Sequence, residues 1–275
     1  MSFTTADVVK LRKVSGAGMM DCKNALKDAD GDFDKALEII REKGKLIANK
    51  RADRDAAEGV ALAKVTADKK FGALVVLNCE TDFVAKNESF VAFAEKILDA
   101  ALENKVESLE ALKAVQLDGS TIEAQVTEQT GVTGEKLDLS YFNCIAGESV
   151  VPYIHPGNKL ATLVSFNKES VEEQVGKDVA MQIAAMAPIA IDEKSIPQAE
   201  IDKELEFAKE KYRKEGKPEA MLDKIAQGSL NKWYKDVTLL NQTYVKDGKI
   251  SIKDFLKQND PELTVTAFDR YSLNV

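Results

Sequence analysis

The chain has 275 residues, 44% of them hydrophobic and 31% charged, and acidic side chains win to a net charge of −8. That length fits roughly two domains with a sizeable core, and the negative balance argues against general binding to a phosphate backbone, which needs a basic surface. Three scattered cysteines (Cys22, Cys79 and Cys144) form no CxxC pair and no disulfide framework, which points to a reducing cytoplasm; the first residues lack the basic and apolar regions of a signal peptide, and no apolar run nears the roughly 20 residues needed to cross a bilayer.

Residues 4–44 predict three short helices. Thr4 or Thr5 can cap the first, which carries Val8, Val9, Leu11, Arg12 and Val14. Ser15-Gly16-Ala17-Gly18 breaks it, and the second begins at Met19-Met20 and ends near Asp30-Gly31. The third, over 33–43, sets Phe33, Ala36, Leu37 and Ile40 on one face at helical spacing. This arrangement resembles a ubiquitin-associated-type domain. A unit under about 60 residues is marginal alone, so it is expected to be a docking module tethered to something larger. The segment 41–55 is locally basic; nucleic-acid contact competes there with a solvated helix and linker face, and the lack of an aromatic for base stacking favours the latter.

From Ala56 the pattern turns to strands. Residues 59–65 and 71–77, joined by Ala67-Asp68-Lys69-Lys70, predict a hairpin. Helices follow over about 88–102, 108–115 and 122–130, the last ended by Gly131. Strand-like runs return at 141–145, 149–155 and 160–166, with a helix capped by Ser170 and stopped by Pro188. Hairpin, strand, loop and helix thus occur twice, which predicts an internally duplicated α+β unit with antiparallel sheets. From Asn167 the second copy reaches its expected cap at Ser170, three residues on; from Asn78 the first reaches Asn87, nine residues on. The additional residues hold Thr81-Asp82-Phe83-Val84. Phe83 is then either a tucked-in loop aromatic or a rigidly held side chain aimed at a partner, and its place outside the repeat favours the partner.

Ile201, Leu205, Ala208 and Tyr212, answered by Met221, Leu222, Ile225, Leu230 and Trp233 beyond Gly216-Lys217-Pro218, predict an antiparallel helical hairpin with a coiled-coil-like seam. It is either self-contained or an association surface. After it come an Asp247-Gly248 hairpin turn, a helix over 251–258 and an edge strand over 263–268. The expected domains are 1–55, a three-helix unit and linker; 56–140, a first core subdomain; 141–190 with 229–275, a second; and 191–228, the inserted helical hairpin.

Chemistry is sparse. There is no P-loop, no GxSxG and no dinucleotide fingerprint. One histidine and dispersed cysteines build no zinc site, so no metal, cofactor or catalytic residue is assigned. Asp82 with His155 is the remaining acid–base pair to consider. His155, at the tip of the second hairpin, is a surface turn residue or a partner contact.

Gly16-Ala17-Gly18-Met19-Met20-Asp21-Cys22-Lys23, Thr81-Asp82-Phe83-Val84-Ala85-Lys86 and Tyr153-Ile154-His155, in that order along the chain, resemble the bacterial translation elongation factor Ts family. The resemblance implies a non-enzymatic, cytoplasmic nucleotide exchange factor for elongation factor Tu, a GTPase, bound preferentially without nucleotide. It implies that Thr81, Asp82, Phe83 and Val84 dislodge the partner's Mg²⁺, with the Phe83 ring wedged between two helices of the GTPase domain. It implies further contacts from Arg12, Met19, Met20, Lys23 and His155, no direct nucleic-acid or membrane contact, and a homodimer or two-plus-two complex as the assemblies to test. Thr130 and Gly131 match the family only loosely. The alternative is a non-catalytic adapter that joins proteins through its helical modules.

Overall fold

The computed structural model describes residues 3–273. Helices α1 (Thr5–Ser15), α2 (Met19–Asp28) and α3 (Phe33–Lys50) form the N-terminal unit. Thr4 caps α1 in a reciprocal box with Asp7, and Gly16 ends it in the left-handed region, at φ 70°. Leu11, Cys22, Leu26 and Ala36 are fully buried at the centre of a small core. The expected third helix of 33–43 is too short. It runs on to Lys50, because its second half lies against a core helix rather than in solvent.

The first sheet begins with β1 (Glu58–Val65) and β2 (Phe71–Cys79). A four-residue helix, α4 (Asp82–Ala85), leads into α5 (Glu88–Asn104), capped by Asn87 as expected. Next come α6 (Leu109–Ala114), a small hairpin of β3 (Gln116–Leu117) and β4 (Ser120–Thr121), and α7 (Ile122–Thr133). The helix passes through Gly131, where a stop is expected, and ends at Gly134 with φ 71°. Strand β5 (Asp138–Ala146) then pairs with β2, giving the antiparallel order β1-β2-β5. The expected boundary at 140/141 therefore cuts a strand of the first sheet; local alternation at 141–145 does not reveal which sheet the strand joins.

Strands β6 (Ser149–Ile154) and β7 (Leu160–Phe166) open the second sheet. Helix α8 (Glu173–Met186) follows, then α9 (Gln198–Lys214), α10 (Glu219–Val237), α11 (Ile252–Asn259) and β8 (Val265–Ser272), which closes the order β6-β7-β8. In both units a hairpin and a helix are followed by a third strand that pairs with the hairpin's second, so the duplication is real in topology. Its details differ from expectation. Ser170 does not cap α8, which starts after Glu172 with no side-chain cap. The loops before α5 and α8, 80–87 and 167–172, therefore differ by less than expected; what sets the first apart is its helical turn. The 228/229 boundary falls inside α10. Asp247-Gly248 turns the chain through a single bridge, Thr243 to Ser251, and the strand expected at 263–268 is instead β8.

The layers are α5, first sheet, second sheet, α8. Along β2 every residue is buried: Ala73, Val75 and Leu77 face α5, while Leu74 and Val76 face the second sheet with Ala61, Ala161 and Leu163. Along β7, Val164 and Phe166 face Val175, Val179 and Ile183 of α8. Small residues let the sheets approach; a Cβ on Gly72 would lie 2.8 Å from Val150 and 3.1 Å from Leu163. Tyr141 of β5 donates a 2.8 Å hydrogen bond to Asp269 of β8 across the two units. Helices α9 and α10 pack on each other through Ala208, Leu222, Ala226 and Leu230, with Tyr212 accepting from Ser229 at 3.0 Å. Ala226 takes a buried place in the seam, whereas Met221, expected there, is exposed.

The N-terminal unit is joined to the core where α3 crosses α7. A Cβ on Gly131 would sit 2.3 Å from the Gly44 Cα, whereas one on Gly44 would meet nothing nearer than 3.6 Å. Gly131→Ala should therefore destabilise the protein by about 1–3 kcal/mol or more, since backbone has to move. Gly228→Ala, in α10 with open space around it, should stabilise by roughly 0.5–1 kcal/mol. Urea unfolding of the two variants checks the contrast; equal effects would contradict the tight crossing.

Candidate functional site

Strand β2 delivers the chain, fully buried, to the stretch the sequence marks out. From Cys79 onward successive residues are tied down. The Cys79 thiol donates to the Thr81 carbonyl at 3.1 Å, and burial pushes its pKa up to about 12, so it is an inert thiol at neutral pH. Arg51, at the end of α3, donates to both oxygens of Glu80 at 2.7 and 2.9 Å, and the Lys136 N–H donates to the same carboxylate at 2.6 Å. Thr81 gives its N–H and its hydroxyl hydrogen to the two oxygens of Glu135, at 3.0 and 2.7 Å. The Thr81 oxygen in turn accepts from the Val84 N–H and caps α4.

Beyond the cap, Ala85 is buried and Val84 half-buried against the first core. Lys86 reaches back one turn to Asp82 at 2.6 Å and, with the Lys159 charge, holds that carboxyl below its usual range. Asn87 closes the segment by capping α5. The geometry leaves Phe83 pointing outward, 83% exposed on a turn whose neighbours are all fixed. A large apolar side chain so presented on a held loop is suited to contact another molecule.

The other sequence-predicted residues divide into two groups. His155 is exposed on the β6–β7 turn, with its Nδ1 2.9 Å from the Tyr153 hydroxyl. That turn is brought beside the first sheet: Asn158 accepts from the Ala61 N–H at 2.7 Å, and Lys159 pairs with Glu58, whose strand partner is Cys79. His155 and Phe83 thus belong to turns at one end of the sandwich. Asp82 and His155 do not bond to each other; their partners are Lys86 and Tyr153, so the acid–base pair considered from sequence is not assembled. On the N-terminal unit, Arg12, Met19, Met20 and Lys23 are all exposed, and Met19, Met20 and Lys23 line a groove with Phe3, Thr4 and Val8. Gly16, just ahead of α2, and Val84, next to Phe83, line one cleft of about 300 Å³ between unit and core.

Thr130 is buried and Gly131 half-buried in the frame, facing other parts of the chain rather than presented. Thr130 accepts from the Leu137 N–H at 3.1 Å, and Gly131 faces Gly44. Arg51, Glu80 and Glu135, which hold the turn, are absent from the sequence-based site. Glu135 lies 54 residues from Thr81, and no local pattern joins them. Among the described residues no group of three or more His, Cys, Asp or Glu side chains could hold a metal ion, and no helix is long and apolar enough to cross a membrane.

Residues 80–274 match the family model described as Elongation factor TS. The chain is 52% identical over 276 residues to the elongation factor Ts of Porphyromonas gingivalis, covering 100% of this chain and 99% of that protein. It is 50% identical to that of Azobacteroides pseudotrichonymphae, with 100% of each chain covered. Against that of Christiangramia forsetii it is 51% identical, with 98% of each covered.

The Lys136 N–H, followed by Arg51, lowers the Glu80 pKa from its ordinary 4.5. A carboxylate with a depressed folded-state pKa stabilises fully above its unfolded pKa, and the contribution is lost as pH falls through the folded value. Glu80→Gln should therefore be less stable than the parent by about 1 kcal/mol at neutral pH. The gap should close as pH drops below 4.5. Urea midpoints taken from neutral to strongly acid pH test this; a gap that stays constant would show that the charge of Glu80 is not what holds the turn.

Proposed function

The chain belongs to the elongation factor Ts family, the nucleotide exchange factors of elongation factor Tu, and from that premise we propose that it releases GDP by wedging Phe83 into the GTPase domain. Thr81, Asp82, Phe83 and Val84 act together there to displace the helix on which the partner's Mg²⁺ depends. Mg²⁺ bridges phosphate oxygens and offsets their charge, so displacing it leaves a repelling phosphate cluster and nucleotide affinity falls. The observation that carries this reading is the outward Phe83 ring on a turn fixed on both sides. A flexible loop would lose the ordering entropy on binding that a held one has already lost.

The exchange factor supplies free energy only through its preference for the distorted partner. Reciprocity then makes the nucleotide-free partner the tighter ligand, and nucleotide rebinding weakens the complex by the same ratio. Burying one Phe is worth on the order of 1.5–3 kcal/mol, one to two decades in an equilibrium constant. The rest comes from a distributed interface: Arg12, Met19, Met20 and Lys23 on the N-terminal unit, which acts as a ubiquitin-associated-like grip, and His155 on the second hairpin. The division is 1–55 for the grip with its linker and two core subdomains after it, the first running through β5. Helices α9 and α10 form an inserted coiled-coil hairpin. Its exposed Phe207 and Met221 are the side chains that a second copy would cover in a homodimer or two-plus-two complex. The factor works beside its partner in the cytoplasm and itself makes no direct contact to nucleic acid.

Release of labelled GDP from elongation factor Tu at saturating factor tests the proposal. Phe83→Ala should slow it about tenfold or more, while leaving stability within roughly 0.5 kcal/mol because the ring is outside the core. Wild-type exchange by the folded variant would eliminate the wedge. A pull-down with nucleotide-free and GDP-loaded partner side by side should retain more of the nucleotide-free form; an adapter would hold both equally.

A further inference from the structure

We propose that Glu135 is a positioning residue for Phe83, assisted by the Arg51–Glu80 pair; the proposal rests on the wedge reading. A single helical turn does not stand by itself, because nucleation fixes several residues for one hydrogen bond. Of the four residues in α4 only Ala85 is buried. The direction of the ring must therefore be set by the ties at its base.

Glu135 makes the two that fall on the cap residue itself. By taking the hydroxyl hydrogen of Thr81 it also fixes the polarity of the cap, since the Thr81 lone pairs are then turned to the Val84 N–H. Glu135 is itself held. Three successive backbone N–H groups after the Gly134 turn are engaged: Glu135 with the Thr133 hydroxyl at 3.3 Å, Lys136 with Glu80 at 2.6 Å, and Leu137 with the Thr130 hydroxyl at 3.1 Å. The Lys136 ammonium also bonds the carbonyls of Ala52 and Arg54 at 2.8 and 3.0 Å. The connection 134–137 thus joins the end of α3 to the base of the Phe83 turn. Glu135 spends both oxygens inward on Thr81, so its effect on exchange passes through the turn.

The test uses the full chain with GDP-loaded elongation factor Tu and four variants: Glu135→Ala, Glu135→Gln, Phe83→Ala, and Phe83→Ala combined with Glu135→Ala. Glu135→Ala should lower the maximal exchange rate roughly tenfold, while the factor concentration giving half-maximal rate moves less than about twofold, because the grip on α2 is untouched. Hydrogen exchange of the Val84, Ala85 and Lys86 amides should quicken, with β2 amides unchanged. Glu135→Gln, which keeps one acceptor oxygen, should recover part of the rate. The double variant should be no slower than Phe83→Ala alone. Wild-type maximal exchange by Glu135→Ala, or a double variant slower by the product of the single effects, would overturn the positioning role while leaving the wedge intact. Wild-type exchange by Phe83→Ala would remove the wedge and the positioning role with it.

Discussion

At the crossing of α3 and α7 two helix backbones meet with no side chain between them, and the placing of the N-terminal contacts depends on that closeness. Gly131 has no room for a Cβ beside Gly44. The N-terminal unit carries its own small core, and a unit of that size is marginal alone. Docked through α3, it gains a second apolar neighbour in α7, and the ion pair of Arg41 with Glu128 at 3.1 Å lies beside the contact. The exposed start of α2 is thereby held at a set place relative to the core. A loosely tethered module would have to be ordered afresh each time it met a partner.

The sandwich performs the same service for the other surface. Two three-stranded sheets packed face to face, each backed by helices, leave β2 with no exposed residue. A strand buried on both faces is a poor place for motion, and it is this strand that ends at the Phe83 turn. The second sheet contributes by apposition: the Asn158 carbonyl and the Lys159–Glu58 pair bring the His155 turn to the same end. Both turns are shapes held in place by the scaffold beneath them.

Local signals were legible and long-range ones were not. The first cap at Thr4 or Thr5, the Asn87 cap and the first hairpin follow from residue type and period, because they are decided within one turn or one strand. The repeat was also visible, since it is a repetition of such periods. What failed needed knowledge of neighbours distant in sequence. Gly131 looks like a helix stop until Gly44 is placed against it, and then its missing Cβ is what lets the two helices meet. The run at 141–145 alternates like any edge strand, and only the free edge of β2 decides which sheet takes it. Ser170 is a good cap residue that the chain does not use. The direction of Phe83 was undecidable from its neighbours in sequence, because the groups that turn it outward are Glu135 and Arg51.

Helix α3 carries a consequence for how such a chain can change over evolutionary time. Leu37, Gly44 and Arg51 are spaced by seven residues, and seven residues make nearly two full turns, about 20° short. One stripe of the helix therefore meets the N-terminal core, the α7 backbone and Glu80 in turn. Adding or deleting a single residue within that span would swing everything beyond it by about 100°, taking either the glycine out of the crossing or the guanidinium away from its carboxylate. A length change would leave this arrangement intact only at the ends of the stripe, and the helix keeps the two exposed surfaces in phase much as a gear tooth count fixes the relation between two shafts.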